Sequence, residues 1–176
     1  MSDILNAIGN TPIVKLKKIV PIGCGEIYVK LEAFNPTGSK KDRMALSMIS
    51  GAEKRGVLKK GMTVVEYSGG STGAGLAFVC SLKGYNFRLV TADVFGKEKI
   101  DLMRSLGANL EIIKSSDGKI NKELITKMIK KADQISKEPN TFFTNQLNNT
   151  DVIEGFVPLG LSLIHISEPT RLGAIS

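Results

Sequence analysis

The sequence predicts an α/β fold in which a parallel sheet is covered by helices on both faces. Short runs of β-branched and aromatic residues alternate with segments whose apolar residues recur at helical spacing. This alternation has the spacing of βαβ units, which bring parallel strands into one sheet. With 176 residues, of which 42% are hydrophobic, the chain has enough apolar material for the core of one such domain.

The first predicted elements are a strand at residues 26–32 and a helix at residues 41–54. The strand has the sequence EIYVKLE, which contains a β-branched and aromatic run. The helix ends at Gly56, because glycine readily adopts the conformation that terminates a helix. The apolar residues on one face of this helix are Met44, Ala45, Met48, Ile49 and Ala52.

The later elements continue the alternation of strands and helices. A β-branched run predicts a strand at Thr63–Tyr67, and the apolar run at residues 76–82 predicts a helix that ends at Gly84. The next predictions are a strand at 87–92, a helix at 97–106 ending at Gly107, and a strand at 110–114. A helix at 121–137 and a strand at 141–144 follow; the apolar stripe of this helix is Leu124, Ile125, Met128, Ile129, Ala132 and Ile135.

Composition excludes several classes of partner. The net charge is +7, but the lysines are dispersed, and those on the last helix lie opposite its apolar stripe, so we expect no nucleic-acid partner. No apolar run has the flanks of a secretory signal or the roughly 18 residues of a membrane span. We therefore expect a cytoplasmic protein with no membrane partner. Cys24 and Cys80 are too few for a disulfide framework or a zinc site, and no metal is expected.

A glycine-rich segment, EYSGGSTGAGLA at residues 66–77, joins a predicted strand to a predicted helix. The turn therefore lies at a helix N-terminus, where unpaired N–H groups and the helix dipole favour an anion. Its glycines allow a ligand to approach the backbone closely. The anion could be a phosphate, a carboxylate or an oxyanion.

Four interpretations of this segment remain open on the residues alone. The spacing of Gly70 and Gly75 is that of a phosphate loop, although the Lys and the Ser or Thr that should follow are absent. Residues 69–73 fit the nucleophile elbow of hydrolases, for which His165 would be the only available base. The third interpretation is a carboxylate cradle without a nucleophile. The fourth is a tight turn that binds nothing.

A second turn, at residues 35–43, has the sequence NPTGSKKDR. It contains Pro36 and Gly38 and places Lys40 and Lys41 where a helix begins. The positive end of the helix dipole disfavours the ammonium form of such a lysine, which suits a Schiff-base nucleophile. An exposed lysine pair without a role is the alternative. We expect both turns at the carboxyl ends of strands in the sheet, where ligands bind in such folds.

Four blocks of sequence together resemble the cysteine synthase family. They are residues 8–16, 35–43, 66–77 and 145–149, in the order and at the separations of that family. The resemblance covers roughly residues 4–160. It implies the fold type II of the tryptophan synthase β-like enzymes, which use pyridoxal 5'-phosphate.

The resemblance also implies a role for each matching residue. Lys41, directly before Asp-Arg, would form the Schiff base with the cofactor and later remove the α-proton of the substrate. The substrate carboxylate would be bound by Ser68, Gly69, Gly70 and Thr72. Ser71 would contact the cofactor ring. The implied reaction is β-replacement on O-acetylserine by sulfide to give cysteine, in a homodimeric parent enzyme.

The chain departs from the family pattern at several positions. Tyr67 replaces a Pro, Ser68 a Thr, Gly69 a Ser and Ser71 an Asn, and Phe142 is expected roughly where many cysteine synthases have a Gln. The alternative functions are therefore a serine or threonine dehydratase, a threonine synthase, a cystathionine β-synthase-like enzyme, or a non-catalytic paralogue. We also expect residues 161–176 to be a non-native, adapter-like tail. Residues 1–160 would then be only the N-terminal half of the catalytic fold, and the fragment would be inactive.

Overall fold

The computed structural model describes residues 4–167. The strands in this part of the chain are β1 (Ile13–Lys15), β2 (Tyr28–Lys30), β3 (Thr63–Tyr67), β4 (Asn86–Ala92), β5 (Asn109–Ile113) and β6 (Thr141–Phe143). The α-helices are α1 (Lys41–Lys54), α2 (Ser71–Lys83), α3 (Lys97–Ser105), α4 (Lys122–Ser136) and α5 (Asp151–Ser167). Two short 3₁₀ helices occupy Ile4–Ala7 and Glu32–Phe34.

Four of the strands form the predicted parallel sheet, in the order β5-β4-β3-β6. Side chains of the two central strands alternate between two apolar clusters, because successive residues of a strand face opposite sides. Val64 and Leu89 pack with residues of α1 and α2, whereas Val65 and Val90 pack with residues of α4. Helices therefore cover both faces, and the predicted fold class is confirmed.

The predicted strand at residues 26–32 does not belong to this sheet. Only Tyr28–Lys30 forms a strand, and it pairs antiparallel with β1 in a separate two-stranded sheet. Its side chains are half-buried or exposed, whereas the inner strands of a parallel sheet are buried on both faces. The prediction that the turn at residues 35–43 follows a strand of the parallel sheet is therefore wrong. That turn instead follows the second 3₁₀ helix and leads into α1.

Helix α1 is packed between α2 and α5. Two glycines make these contacts close. A Cβ atom at Gly75 of α2 would lie 3.2 Å from the carbonyl oxygen of Lys41, and one at Gly155 of α5 would lie 2.8 Å from the carbonyl oxygen of Arg43. The first turn of α1 is therefore fixed against the start of α2, which carries the glycine-rich segment.

Helix α5 continues across residue 160, where the resemblance was expected to end. The rest of the predicted tail, residues 168–176, and the side chain of His165 lie outside the described residues. No helix within residues 4–167 combines the length and apolar content that crossing a membrane requires.

Candidate active site

The glycine-rich segment forms the junction between β3 and α2, as the sequence predicts. The Ser68 hydroxyl oxygen accepts hydrogen bonds from the N–H groups of Gly70 and Gly73, each at 3.1 Å. The N–H groups of Ser71 and Thr72, in the first turn of α2, have no partner among the described residues. Unpaired donors of this kind at a helix N-terminus can bind an anion.

Gly69 is in close contact with an aromatic side chain that the sequence did not associate with the loop. A Cβ atom at Gly69 would lie 2.3–2.6 Å from carbon atoms of the Phe95 ring. Such a distance is far inside van der Waals contact, so no side chain fits at position 69 while Phe95 keeps its place. Phe95 lies in the turn between β4 and α3 and packs against the apolar cluster that contains Tyr67. It forms one wall of the loop.

The structure distinguishes between the two lysines of the second turn. Lys41 is the first residue of α1 and is half-buried, whereas Lys40 is exposed. The contact with Gly75 puts the backbone of Lys41 one helical turn from Ser71, at the N-terminal ends of both helices. The lysine predicted as the nucleophile and the predicted anion site are thus brought together.

Asp42 fixes the conformation of the turn before Lys41. Its carboxylate accepts a hydrogen bond from the N–H group of Thr37 at 2.7 Å and another from the Thr37 hydroxyl. Asp42 is fully buried, and burial raises the pKa of its carboxyl group, whereas the bonds from Thr37 act in the opposite direction. The turn at residues 35–43 is therefore closed by its own side chains immediately beside Lys41.

The next residue, Arg43, joins the first sequence block to the second through a buried ion pair. Its guanidinium donates two hydrogen bonds to the Glu32 carboxylate, both at 2.8 Å, and one to the carbonyl oxygen of Gly9 at 2.7 Å. Thr11 and Asn35 also donate to Glu32, at 2.6 and 3.0 Å. The Arg43 guanidinium is the main reason that the pKa of Glu32 is lowered to about 2. This network anchors the first turn of α1.

A second network under the glycine-rich loop was not predicted from the sequence. Gln146 is half-buried after β6; its side-chain oxygen accepts a hydrogen bond from the Thr72 hydroxyl at 2.8 Å, and its side-chain nitrogen donates to the carbonyl oxygen of Tyr67 at 3.0 Å. The backbone N–H of Gln146 donates to Glu66 at 3.0 Å, and the Thr144 hydroxyl donates to the same carboxylate at 2.6 Å. Residues 145–149 had been identified as a sequence block, but without a role for any of them.

The expectation about Phe142 is not met in the structure. Phe142 lies in β6 opposite Val64 and packs against the apolar cluster of α1 and α2, so it does not face the loop. The glutamine beside Thr72 is instead Gln146. The sequence signal for this assignment was present in the block NQLNN, where Gln146 follows the strand directly.

The free donors of the loop suit an anion such as a carboxylate. Ser71 starts α2, is half-buried, and its hydroxyl has no hydrogen-bond partner within residues 4–167. The part of the chain that the structure describes contains no group of three or more His, Cys, Asp or Glu side chains that could bind a metal ion. The site therefore consists of N–H donors, hydroxyl groups and a lysine.

Three comparisons relate this site to known proteins. The family model described as "Pyridoxal-phosphate dependent enzyme" matches residues 4–172. A cysteine synthase of Staphylococcus aureus (strain Mu50) is 40% identical over 149 residues, which are 85% of this chain and 46% of that protein. The chain thus spans about half the length of this curated relative.

Solved structures share the fold over most of the described chain. The crystal structure of a hydrogen sulfide-producing enzyme from Fusobacterium nucleatum has a TM-score of 0.84 and 33% identity, covering 95% of this chain and 53% of that one. An O-acetyl serine sulfhydrylase isoform 3 from Entamoeba histolytica has a TM-score of 0.82 and 31% identity, covering 95% and 50%.

Proposed function

Because the chain belongs to the pyridoxal-phosphate dependent enzyme family, as its resemblance predicted, we propose that its site performs a β-replacement on an activated serine. The substrates would be O-acetylserine and sulfide, and the product cysteine. The observation that carries this proposal is the position of Lys41 beside a loop with two free N–H donors. An amine that extends from the start of α1 and an anion site at the start of α2 could act on the same amino acid.

The residues present fit pyridoxal 5'-phosphate. Lys41 provides the amine that would hold it, and the half-buried Ser71 provides a hydroxyl that can donate one hydrogen bond to its ring. When bound, the cofactor supplies an electron sink for the α-carbon of the substrate. The short contacts at Gly75 and Asp42 keep the Lys41 backbone in place, so that the reacting nitrogen needs to move only through side-chain rotation.

The loop would bind the substrate carboxylate through two free donors. They are the backbone N–H groups of Ser71 and Thr72, at the positive end of α2; the Thr72 hydroxyl already donates to Gln146. Gly69 and Gly70 allow the carboxylate to approach the backbone. The Ser68 hydroxyl oxygen already accepts two N–H groups, so its role is to shape the loop.

Lys41 would also move the proton. With the carboxylate held at the loop, Nζ of Lys41 as the free amine accepts the proton from the substrate α-carbon and then protonates the departing group or the product. The half-buried position of Lys41 limits the access of water to this step. The exposed Lys40 has no part in this chemistry.

The proposal extends to the setting of the reaction. Residues 4–160 would form the first part of the catalytic fold, in a homodimeric cytoplasmic enzyme with sulfide as the small nucleophile. The names of the relatives support the amino-acid substrate and the sulfide chemistry.

Chemical trapping tests the lysine. The chain is incubated with pyridoxal 5'-phosphate, reduced with borohydride, digested and mapped, with K40A as the matched control for K41A. Label should appear on Lys41 in the wild type and in K40A, and should be lost in K41A. Label on Lys40, or on neither lysine, contradicts the proposal.

Turnover tests the reaction. The full-length parent enzyme, rather than the fragment, is supplied with O-acetylserine plus sulfide and, separately, with serine or threonine alone. Cysteine formation in the first assay is the expected result. Formation of an oxo acid and ammonia from serine or threonine at a comparable rate would instead identify a dehydratase.

A further inference from the structure

Glu66 is a buried carboxylate with no part in the proposed chemistry. It lies near the end of β3, is 0% exposed, and forms no ion pair with any residue of the described chain. Burial raises the pKa of its carboxyl group. A carboxylate in such a place is destabilising unless donors surround it, because it loses its hydration. Hydrogen bonds from neighbouring segments compensate Glu66 for this loss of hydration.

All of the donors to Glu66 come from two segments that border the glycine-rich loop. One carboxylate oxygen accepts a hydrogen bond from the N–H group of Tyr67 at 2.9 Å. The other oxygen accepts hydrogen bonds from the Thr144 hydroxyl at 2.6 Å and from the N–H group of Gln146 at 3.0 Å. Glu66 thus fixes the backbone where the chain leaves β6, across 80 residues of sequence.

The side chain of Gln146 carries this constraint to the loop. Its backbone is held by Glu66, and its amide is oriented by donating to the carbonyl oxygen of Tyr67 at 3.0 Å. The amide oxygen then accepts the hydroxyl of Thr72 at 2.8 Å. Thr72 is buried and contributes one of the two free N–H donors of the anion site. A continuous series of hydrogen bonds connects the buried carboxylate to that site.

We propose that Glu66 is a positioning residue for the carboxylate site. By accepting from Thr144 and Gln146, it orients the Gln146 amide, which sets the rotamer and backbone position of Thr72. Glu66 does not touch the substrate. The inference rests on the proposed function, because the ligand of the loop is there taken to be the substrate carboxylate.

A purely structural role for Glu66 would have a different signature. It would join β3 to β6, so its loss would lower stability and affect every ligand contact alike. A positioning role acts only through Gln146 and Thr72. Its loss should therefore matter when Thr72 is present and matter little when the Thr72 side chain has already been removed.

The first readout uses the ¹⁵N-labelled 176-residue chain and three variants. E66Q keeps the shape of the side chain, but its amide NH₂ group cannot accept the hydrogen bonds that a carboxylate oxygen accepts. T144V removes a single donor and leaves the carboxylate intact. E53Q is the matched control, since Glu53 lies near the opposite end of α1 from Lys41 and bonds to Lys83 and Tyr85. If E66Q does not fold, T144V still tests the network.

The first readout is the side-chain amide of Gln146 in the absence of any ligand. In E66Q and T144V its resonances should move toward those of a solvated amide, whereas E53Q should leave them at the wild-type positions. Unchanged Gln146 resonances in E66Q and T144V overturn the inference, whatever the ligand of the loop.

The second readout is a titration with L-serine, followed at the backbone amides of Ser71 and Thr72. E66Q should weaken binding about tenfold, the equivalent of one hydrogen bond to a charged group. In the T72A background the same change should weaken binding by less than about twofold. Equal weakening in both backgrounds overturns the inference. If the backbone amide resonances of Ser71 and Thr72 do not shift when L-serine is added to the wild type, the result contradicts the proposed carboxylate site instead. The Gln146 resonances still decide the role of Glu66.

Discussion

Replacing Glu32 by Gln tests the buried ion pair that anchors the first turn of α1. The Glu32 carboxylate accepts two hydrogen bonds from Arg43, and its side chain is 17% exposed. Its pKa falls from 4.5 to about 2 on folding. Because one pKa unit corresponds to about 1.4 kcal/mol, the ionised group contributes about 3 kcal/mol to the free energy of unfolding at neutral pH.

The sign of the pH dependence follows from the lowered pKa. A carboxyl group with a lower pKa in the folded state stabilises the fold above its unfolded pKa, and this contribution is lost as the pH falls from about 4.5 toward 2. About 2 kcal/mol of it should be lost between pH 6 and pH 3. The buried carboxyl groups of Asp42 and Glu66, whose pKa values are raised, act in the opposite direction. Both groups are present in the wild type and in the variant, so most of their contribution cancels in the difference; the repulsion between Glu32 and Asp42 is the smallest of the causes that act on the Asp42 pKa.

The assay is chemical unfolding of the wild type and E32Q, followed by circular dichroism at pH 6 and pH 3. E32Q should be less stable at pH 6 by about 3 kcal/mol or more, because Arg43 is left buried without its partner. The difference in the free energy of unfolding between wild type and E32Q should be smaller by about 2 kcal/mol at pH 3. E98Q, on the exposed start of α3, should differ from wild type by less than about 0.5 kcal/mol at both pH values. A gap of the same size at pH 6 and pH 3 would refute the reasoning.

Three further predictions concern close packing and thiol reactivity. G75A adds a Cβ atom 3.1–3.3 Å from atoms of α1, and should lower the free energy of unfolding by about 1–2 kcal/mol and reduce borohydride trapping of the cofactor. G69A should lower the melting temperature because its Cβ atom meets the Phe95 ring, and F95A should restore part of the loss in the double variant; a melting temperature that falls further in the double variant contradicts this. Cys24 is exposed, whereas burial raises the pKa of the Cys80 thiol, so a thiol reagent should modify Cys24 in the folded chain and Cys80 only after unfolding.

Local patterns predicted the regular elements from α1 to β6 within one residue at each end, except that α2 begins at Ser71, five residues before the apolar run that predicted it. These patterns succeeded because the elements are governed by periodicities of 3.6 and 2 and by glycines after the helices. The strand at residues 26–32 was misplaced because its partner β1 is a three-residue strand without a pattern of its own. Its antiparallel pairing depends on contacts that no local window contains.

The candidate site likewise has features that local sequence predicted and features that depend on distant contacts. The choice of Lys41 over Lys40 came from a match of short blocks, and the structure adds that Lys41 is half-buried while Lys40 is exposed. The sequence analysis placed Phe142 where the family has a glutamine and so missed Gln146, because position alone cannot show which residue near the end of a strand turns toward the loop. Gln146 turns toward it because Glu66 binds its backbone N–H group.

The sequence by itself determined the order of elements, the glycine-rich junction between β3 and α2 and the lysine at the start of α1, since each depends on residues that are close together in the chain. Only the tertiary structure decided what supports them. The partners Glu32 and Arg43 are 11 residues apart, Thr72 and Gln146 are 74 apart, and Glu66 and Gln146 are 80 apart. These hydrogen bonds form because burial deprives the polar groups of water. For the two bonds of Gln146, the parallel sheet also brings the ends of β3 and β6 to one edge.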